Sequence, residues 1–249
     1  MKLGTSCFTA LDAQRGELAS YLDRLCRAAS ADTNLAERVI DALGALDSLR
    51  FDTIQRSTLK RFPEPSRNNS YLDVCRHIAK SMKIYLVVMP RDTRPRKMLD
   101  IGSGSGSFCF VCNALGHHST GLDRPRSDDN DDGDFLSLNY LLTQWHNVQV
   151  LEHAISPHVP LPIEDDSYDD FSIFHPTFYR RWKEADWDFL LSDLSRCATK
   201  DKSKLYVKVN TRKLKNIGGE FFAYGEFFRA LDKLNFTMIQ DKHYVIDLE

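Results

Sequence analysis

The sequence predicts an α/β protein with a doubly wound, mostly parallel seven-stranded sheet, helices on both faces and a helical N-terminal segment. Three observations support this fold class. Leucines recur at helical spacing through the first part of the chain. From Lys97 onward, short apolar runs alternate with helical stretches, which is the pattern of a parallel sheet covered by helices. The first apolar run ends in a series of glycines, typical of the turn between a strand and a helix.

Residues 1–92 are predicted to form a helical segment that serves as a lid or a dimerisation arm. Apolar residues recur there at the period of an amphipathic helix. Prolines at 63 and 65 interrupt this pattern and prolines at 90 and 95 end it, because proline breaks a helix. Residues 93–249 are predicted to form the sheet-containing domain. The helix-spaced positions are Leu11, Leu18, Leu22, Leu25, Leu35, Val39, Leu43 and Leu46, and a further helical run extends from Tyr71 to Val88.

The second part of the chain alternates between strands and helices in the order expected of a doubly wound sheet. The strands are predicted from the short apolar runs, and the helices from apolar residues spaced three or four apart. The predicted strands are Met98–Ile101, a run ending at Asp123, Val148–Leu151, Asp170–Phe174, Leu205–Val209, and one or two between Phe236 and Leu248. The predicted helices are Ser107–Leu115, Phe135–Trp145, Trp187–Ala198 and Tyr224–Leu234.

Composition limits the classes to which the chain can belong. A length of 249 residues suits one α/β domain with an accessory segment, and 42% apolar with 27% charged residues is typical of a globular protein. No stretch reaches the roughly 20 apolar residues of a spanning helix, and no secretory pattern is present, so a cytoplasmic protein without membrane association is predicted. The 6 scattered cysteines are predicted to be reduced. A net charge of −2 argues against general attraction to nucleic acid, although a local basic patch stays open.

An apolar strand that breaks into alternate glycines is the most informative feature of the sequence. The glycines are Gly102, Gly104 and Gly106, and a predicted helix follows them. Glycine permits a tight turn and the close approach of a ligand, while the N-terminus of the helix offers unsatisfied N–H groups. A dinucleotide-binding G-x-G-x-x-G fingerprint does not fit, because its third glycine would fall on Ser107 or, in the next register, on Cys109.

This run resembles the D-x-G-x-G-x-G signature of class I S-adenosylmethionine-dependent methyltransferases, with Asp100 in the acidic position. The segment from Leu161 to Asp169 is similar to the segment that leads into the fourth strand of many small-molecule methyltransferases. The resemblance covers roughly residues 97–210. It implies a Rossmann-like methyltransferase domain with S-adenosyl-L-methionine as its cofactor.

The resemblance also implies which residues hold the cofactor. Asp123 matches the family's acidic residue after the second strand, where a carboxylate accepts hydrogen bonds from both ribose hydroxyls. His153 and Ala154 stand where the family often has an acidic and a small residue facing adenine, which is a departure from its pattern. Arg124 and Arg126 leave open a 2′-phosphate site, although the glycine spacing argues against a dinucleotide. The predicted cofactor-binding residues are Asp100, Gly102, Ser103, Gly104, Gly106, Asp123, His153, Ala154 and Phe174.

Two residues after the fourth predicted strand are candidates for catalysis. A ligand in an open α/β sheet binds beyond the carboxyl ends of the strands, so residues there face the transferred methyl group. His175 is the predicted general base, because imidazole titrates near neutral pH. Tyr179 is the second predicted catalytic residue, since its hydroxyl could orient or deprotonate an acceptor. Structural roles for both residues stay open.

The segments after the fourth and fifth strands favour a small aromatic acceptor that is methylated on oxygen or nitrogen. Core packing is the alternative explanation for many of the aromatic residues, and basic residues in the same segments leave open an RNA or protein acceptor. A noncatalytic cofactor-binding scaffold is a third hypothesis, and a homodimer formed through the N-terminal helices also stays open. The aromatic residues are Phe174, Phe178, Tyr179, Trp182, Phe221, Phe222, Tyr224, Phe227 and Phe228, and the basic residues are Arg180, Arg181, Lys183, Arg212, Lys213 and Lys215.

Two patterns that could bind a metal are discounted. Residues 128–133 match the first half of a calcium loop, but the twelfth position is Asn139 instead of a glutamate. Cys109 and Cys112 lie in an apolar helical run without a second cysteine pair nearby in sequence. No metal site is therefore predicted.

Overall fold

The computed structural model describes residues 10–62, 69–89, 94–124, 133–174, 182–199, 202–208, 221–234, 236–239 and 243–248, with the backbone alone at 133–137 and 221–225. The chain divides into two compact units, each built from several segments. The helical unit comprises Met1–Pro95, Gly104–Ser119 and Arg126–Val150. The sheet unit comprises Arg96–Ser103, Thr120–Pro125 and Leu151–Glu249. The predicted domain boundary at residue 92 stays a prediction.

In its described residues, the helical unit contains six α-helices and a short 3₁₀ turn at Asn69–Leu72. Helix α4 packs against α1 and α5, α2 packs against the same two helices, and α3 packs against α6. Their buried faces carry the leucines predicted from the helical spacing, including Leu18 and Leu22 of α1. The helices are α1 (Leu11–Ala28), α2 (Asn34–Gly44), α3 (Ser48–Arg61), α4 (Val74–Val88), α5 (Ser107–Ala114) and α6 (Gly133–Trp145).

Local capping and one aromatic contact fix the ends of α3 and α6. The carboxylate of Asp47 accepts a hydrogen bond from the backbone N–H of Arg50 at 3.0 Å, which satisfies one of the free donors in the first turn of α3. The backbone carbonyl of Asp47 accepts a hydrogen bond from Trp145 Nε1 at 2.8 Å. The Trp145 ring also packs on Phe51, with 4.7 Å between the ring centroids. The end of α6 is therefore attached to the beginning of α3.

The sheet has seven strands in the order β3-β2-β1-β4-β5-β7-β6. Strand β4 pairs in parallel with β1 and β5, whereas β7 runs antiparallel to both β5 and β6. Helices α7 (Glu184–Cys197) and α8 (Phe221–Leu231) complete the sheet unit. The strands are β1 (Lys97–Ile101), β2 (His118–Asp123), β3 (Val150–Glu152), β4 (Asp170–Phe174), β5 (Lys204–Lys208), β6 (Phe236–Met238) and β7 (His243–Asp247).

A buried ion pair joins the beginnings of three strands in the sheet unit. Arg96 donates from Nη2 to Asp170 Oδ1 at 2.9 Å, and its Nε also donates to the same carboxylate. The backbone N–H of Lys204 donates to Asp170 Oδ1 at 3.2 Å. Asp170 is fully buried, so these donors replace the water that its carboxylate loses on folding. The ion pair thus fixes the register of β1, β4 and β5.

The structure confirms the predicted fold class. Several element boundaries differ by one to three residues from the prediction, and two of these differences have local reasons. Strand β3 begins at Val150 because the N–H of Val148 still bonds to the carbonyl of Thr143 at 3.0 Å, which continues the turn at the end of α6. Helix α7 begins at Glu184 because Asp186 accepts a hydrogen bond from the backbone of Lys183 at 2.8 Å. Among the described helices, none combines the length and the apolar character that crossing a bilayer requires.

Candidate functional site

The turn after β1 is bonded to the end of β2 within the sheet unit. Gly102 has a φ of 75°, a conformation that side chains disfavour. The backbone N–H groups of Gly102 and Ser103 both donate to the carbonyl of Leu122, at 2.7 and 3.4 Å. The Oγ of Ser103 is buried and has no hydrogen-bond partner among the described residues. This hydroxyl is therefore available to a bound ligand.

The same loop continues into the helical unit at Gly104, where it leads to the N-terminus of α5. Gly104 and Gly106 have φ values of 55° and 71°. At Gly106 a Cβ atom would lie 2.8 Å from Thr143 Cγ2, so a side chain has no room there. The first N–H groups of a helix lack intrahelical partners and attract anionic groups. The loop thus places the start of α5 where it can receive a carboxylate.

A buried histidine supports this loop within the helical unit. His146 donates from Nδ1 to the carbonyl of Ser105 at 2.9 Å, because a carbonyl can only accept. Its ring packs against Phe110 and Trp145, with centroid distances of 5.1 and 4.9 Å. Burial lowers the pKa of His146 to about 4, so the ring is neutral at physiological pH. Nothing in the sequence pattern predicted this contact, which depends on how α6 packs.

The structure buries Asp100 inside the sheet unit. Its side chain is 4% exposed, and Oδ1 accepts a hydrogen bond from Ser172 Oγ at 2.6 Å. These two residues are direct neighbours in the register between β1 and β4. The contact fixes the strand that ends in the glycine turn, and the predicted contact of Asp100 with a cofactor stays a prediction.

The ends of β2 and β3 bring two other predicted residues together. The backbone N–H of His153 donates to the carbonyl of Asp123 at 2.8 Å. Asp123 also accepts a hydrogen bond at Oδ1 from the backbone of Arg124, at 2.8 Å. The Nε2 atom of His153 is buried and unpaired within the described part of the chain, whereas Ala154 is exposed. Phe174, the last residue of β4, is partly buried.

The two predicted catalytic residues, His175 and Tyr179, lie outside the described residues. Among the aromatic residues predicted near the acceptor, Trp182 and Phe227 are buried in the core of the sheet unit. Both pack against Trp187, with ring centroids 5.1 and 4.6 Å apart. Core packing therefore explains these two rings. The other predicted aromatic side chains after β4 and β5 are not described, except for Phe174 and the partly buried Phe228.

The described residues contain no group of three or more His, Cys, Asp or Glu side chains that could hold a metal ion. Cys109 and Cys112 are both buried in α5. The acidic segment 128–132 lies outside the described residues, as do the predicted basic residues other than Lys183.

The fold is similar to that of several solved proteins, whereas no protein-family model and no curated protein matches the chain. A protein from Pyrococcus horikoshii OT3 shares 17% identity over 78% of this chain and 99% of that chain, with a TM-score of 0.49. A SAM-dependent methyltransferase from Aquifex aeolicus shares 17% identity over 77% and 96%, with a TM-score of 0.44. The 16S rRNA N2 G1207 methyltransferase of T. thermophilus, in complex with AdoMet and guanosine, shares 13% identity over 67% and 38%, with a TM-score of 0.43. These likenesses concern the fold alone.

We expect Gly106→Ala to destabilise the protein by about 2–4 kcal/mol, because it adds both a positive-φ penalty and a clash with Thr143. Urea unfolding measures the change. In a Thr143→Ser background the clashing methyl group is absent, so part of this loss should be recovered. As a control, Gly16→Ala in α1 places its Cβ in open space and should stabilise the protein by about 0.5–1 kcal/mol. Equal stability of Gly106→Ala and the wild type would contradict the structure.

We expect His146 to make the protein sensitive to acid. The ring of His146 binds a proton near pH 6.5 in the unfolded chain but only near pH 4 in the folded one, so stability falls as the pH drops through this window. Its contribution to the loss between about pH 7 and about pH 4.5 is on the order of 2–3 kcal/mol.

Urea unfolding of His146→Asn at the two pH values tests this expectation. The asparagine amide can still donate to Ser105, so the variant should fold and lose less stability in acid than the wild type. His77, whose pKa burial also lowers to about 4, is present in both proteins and cancels in the comparison. Replacing the exposed His118 by asparagine should leave the acid sensitivity unchanged. An acid sensitivity that His146→Asn does not reduce would count against a neutral, buried ring.

Proposed function

We propose that this chain binds S-adenosyl-L-methionine at the carboxyl ends of β1, β2 and β3 and transfers its methyl group to a small-molecule acceptor. One observation carries the proposal. Two buried polar atoms without partners among the described residues, Ser103 Oγ and His153 Nε2, follow β1 and β3, and the carboxylate of Asp123 ends the strand between them. Leaving buried polar atoms unpaired costs about 1–3 kcal/mol each, so their presence at a sheet edge favours a polar ligand.

The residues present fit this cofactor in their chemistry. A carboxylate such as Asp123 accepts hydrogen bonds from the two hydroxyls of a ribose. The hydroxyl of Ser103 would donate to the carboxylate of the methionine moiety, and His153 and Ala154 would hold the adenine. Gly102, Gly104 and Gly106 are also proposed cofactor-binding residues, because the N-terminus of a helix attracts a carboxylate and glycine permits its close approach. Asp100 and Phe174 are proposed to line the site from β1 and β4.

S-adenosyl-L-methionine supplies an electrophilic methyl group on its sulfonium. The chain aligns the acceptor with that methyl and excludes water, which can supply much of the rate acceleration of an in-line displacement. His175 is proposed to take the proton from an oxygen or nitrogen acceptor, and Tyr179 to orient the acceptor. Residues 1–92 are proposed to act as a lid or a dimerisation segment. Within the helical unit, α4 of this segment packs on α5, the helix that follows the glycine loop.

We expect Asp123→Asn to weaken the binding of S-adenosyl-L-homocysteine by about 10- to 100-fold, because a neutral amide accepts from the ribose hydroxyls less strongly than a carboxylate. Isothermal titration calorimetry measures the affinity. Asp232→Asn removes the same charge from an exposed position in the same unit and should leave the affinity unchanged. A wild type with no measurable affinity would refute the proposed function, whereas an unaffected Asp123→Asn would refute the assignment of the ribose to this carboxylate.

We expect His175→Ala to lower turnover by about 100- to 10,000-fold without changing the affinity for S-adenosyl-L-homocysteine, because it removes the proposed base. Mass spectrometry of phenol and amine acceptors incubated with isotope-labelled cofactor measures methyl transfer. Tyr179→Phe distinguishes an orienting hydroxyl from a general base. Loss of an orienting hydroxyl should change KM more than the pH profile of kcat, whereas loss of a base should change that pH profile. Undiminished turnover of His175→Ala with intact binding would remove this histidine from the mechanism.

A further inference from the structure

One side chain in the helical unit lies beside the glycine loop with unused hydrogen-bonding capacity. Asn139 belongs to α6, is 7% exposed, and has a buried Oδ1 atom without a partner among the residues that the structure describes. The nearby hydroxyl of Thr143 is used elsewhere, because it donates to the backbone carbonyls of Asn139 and Tyr140 at 3.1 and 2.8 Å. Asparagine is also a poor residue for the interior of a helix. Neither local structure nor packing therefore accounts for this amide.

Gly104 and Gly106 both lie near side chains of α6, but their surroundings differ. At Gly106 a Cβ would collide with Thr143, so packing alone excludes a side chain. At Gly104 a Cβ would meet just one heavy atom of the described residues within 4 Å, Nδ2 of Asn139 at 3.9 Å. With respect to the described residues, the space that a side chain of residue 104 would occupy is therefore bordered by the Asn139 amide alone. An open space beside a buried, unsatisfied polar group is where a polar ligand group fits.

We propose that Asn139 binds the amino-acid end of S-adenosyl-L-methionine, an inference that rests on the proposed function. The methionine moiety carries an ammonium and a carboxylate on one carbon atom. An amide can accept a hydrogen bond from the ammonium at Oδ1 and donate one to the carboxylate at Nδ2. A single neutral side chain thus satisfies both charged groups. Asn139 becomes a residue that distinguishes the complete cofactor from nucleosides without an amino-acid end.

The identity of the side chain matters in this arrangement. An aspartate at position 139 would attract the ammonium, but it would repel the carboxylate and could not donate to it. An alanine would remove both hydrogen bonds. Both substitutions should therefore weaken binding of a ligand that carries the zwitterionic end, and neither should affect a ligand that lacks it.

The test compares two ligands by isothermal titration calorimetry on the full chain. S-adenosyl-L-homocysteine carries the amino-acid end, whereas 5′-methylthioadenosine has the same nucleoside without it. We expect Asn139→Ala to weaken binding of the first by about 10- to 100-fold and to leave binding of the second within about twofold. Gln144→Ala, an exposed amide of the same helix that pairs with Arg50, should leave both affinities unchanged. Asn139→Asp, which keeps the shape of the side chain, provides the same test if the alanine variant fails to fold.

The outcomes separate the possible roles. Selective loss of S-adenosyl-L-homocysteine binding supports the proposal. An equal loss for both ligands would indicate a structural role and overturn it, as would an unchanged affinity for S-adenosyl-L-homocysteine in a folded variant. A wild type that binds neither ligand would refute the proposed function and this inference with it, whereas a wild type that binds both equally tightly would refute this inference alone.

Discussion

The turn between β1 and α5 imposes the constraint on which the rest of the structure depends. The chain leaves a buried strand and enters a helix within five residues, three of which are glycines with φ values of 75°, 55° and 71°. One carbonyl, that of Leu122, accepts hydrogen bonds from the first two N–H groups of the turn and so attaches it to the next strand. Because L side chains disfavour this backbone conformation, the glycines are required by geometry, and one of them is also required by packing. The start of α5 at Ser107 follows directly from this turn.

Each unit has buried polar side-chain atoms without a hydrogen-bond partner among the described residues. Ser103 and His153 contribute such atoms in the sheet unit, and Asn139 and His146 contribute them in the helical unit. The buried carboxylate of Asp170 in the sheet unit, by contrast, accepts hydrogen bonds from three N–H donors. The contrast separates groups that hold the fold from groups suited to a ligand.

Features that depend on short stretches of chain could be predicted from the sequence, and features that depend on packing could not. The glycine spacing, the strand ending at Asp123 and the alternation of elements are local patterns, and the structure contains all of them. The start of β3 was misplaced because the end of α6 continues through a backbone bond from Val148 to Thr143. Trp182 and Phe227 were expected near an acceptor, but both rings pack against Trp187 in the core of the sheet unit. Nothing in the sequence indicated that Asn139 lies beside Gly104, because this proximity arises from the packing of α6. In the sequence, Asn139 served only to argue against a calcium loop.

The segmented composition of the helical unit has a consequence for how the chain folds during synthesis. Residues up to 95 emerge from the ribosome first, yet α2 and α4 pack against α5, and α3 packs against α6. The face of α3 that packs against α6 stays uncovered until about 50 further residues have been translated, because the unit closes only with the segment that ends at Val150. The nascent chain therefore carries an incomplete helical layer for several seconds, given translation rates of about 5–20 residues per second. Molecular chaperones that bind exposed apolar helices would meet this protein most often during that interval.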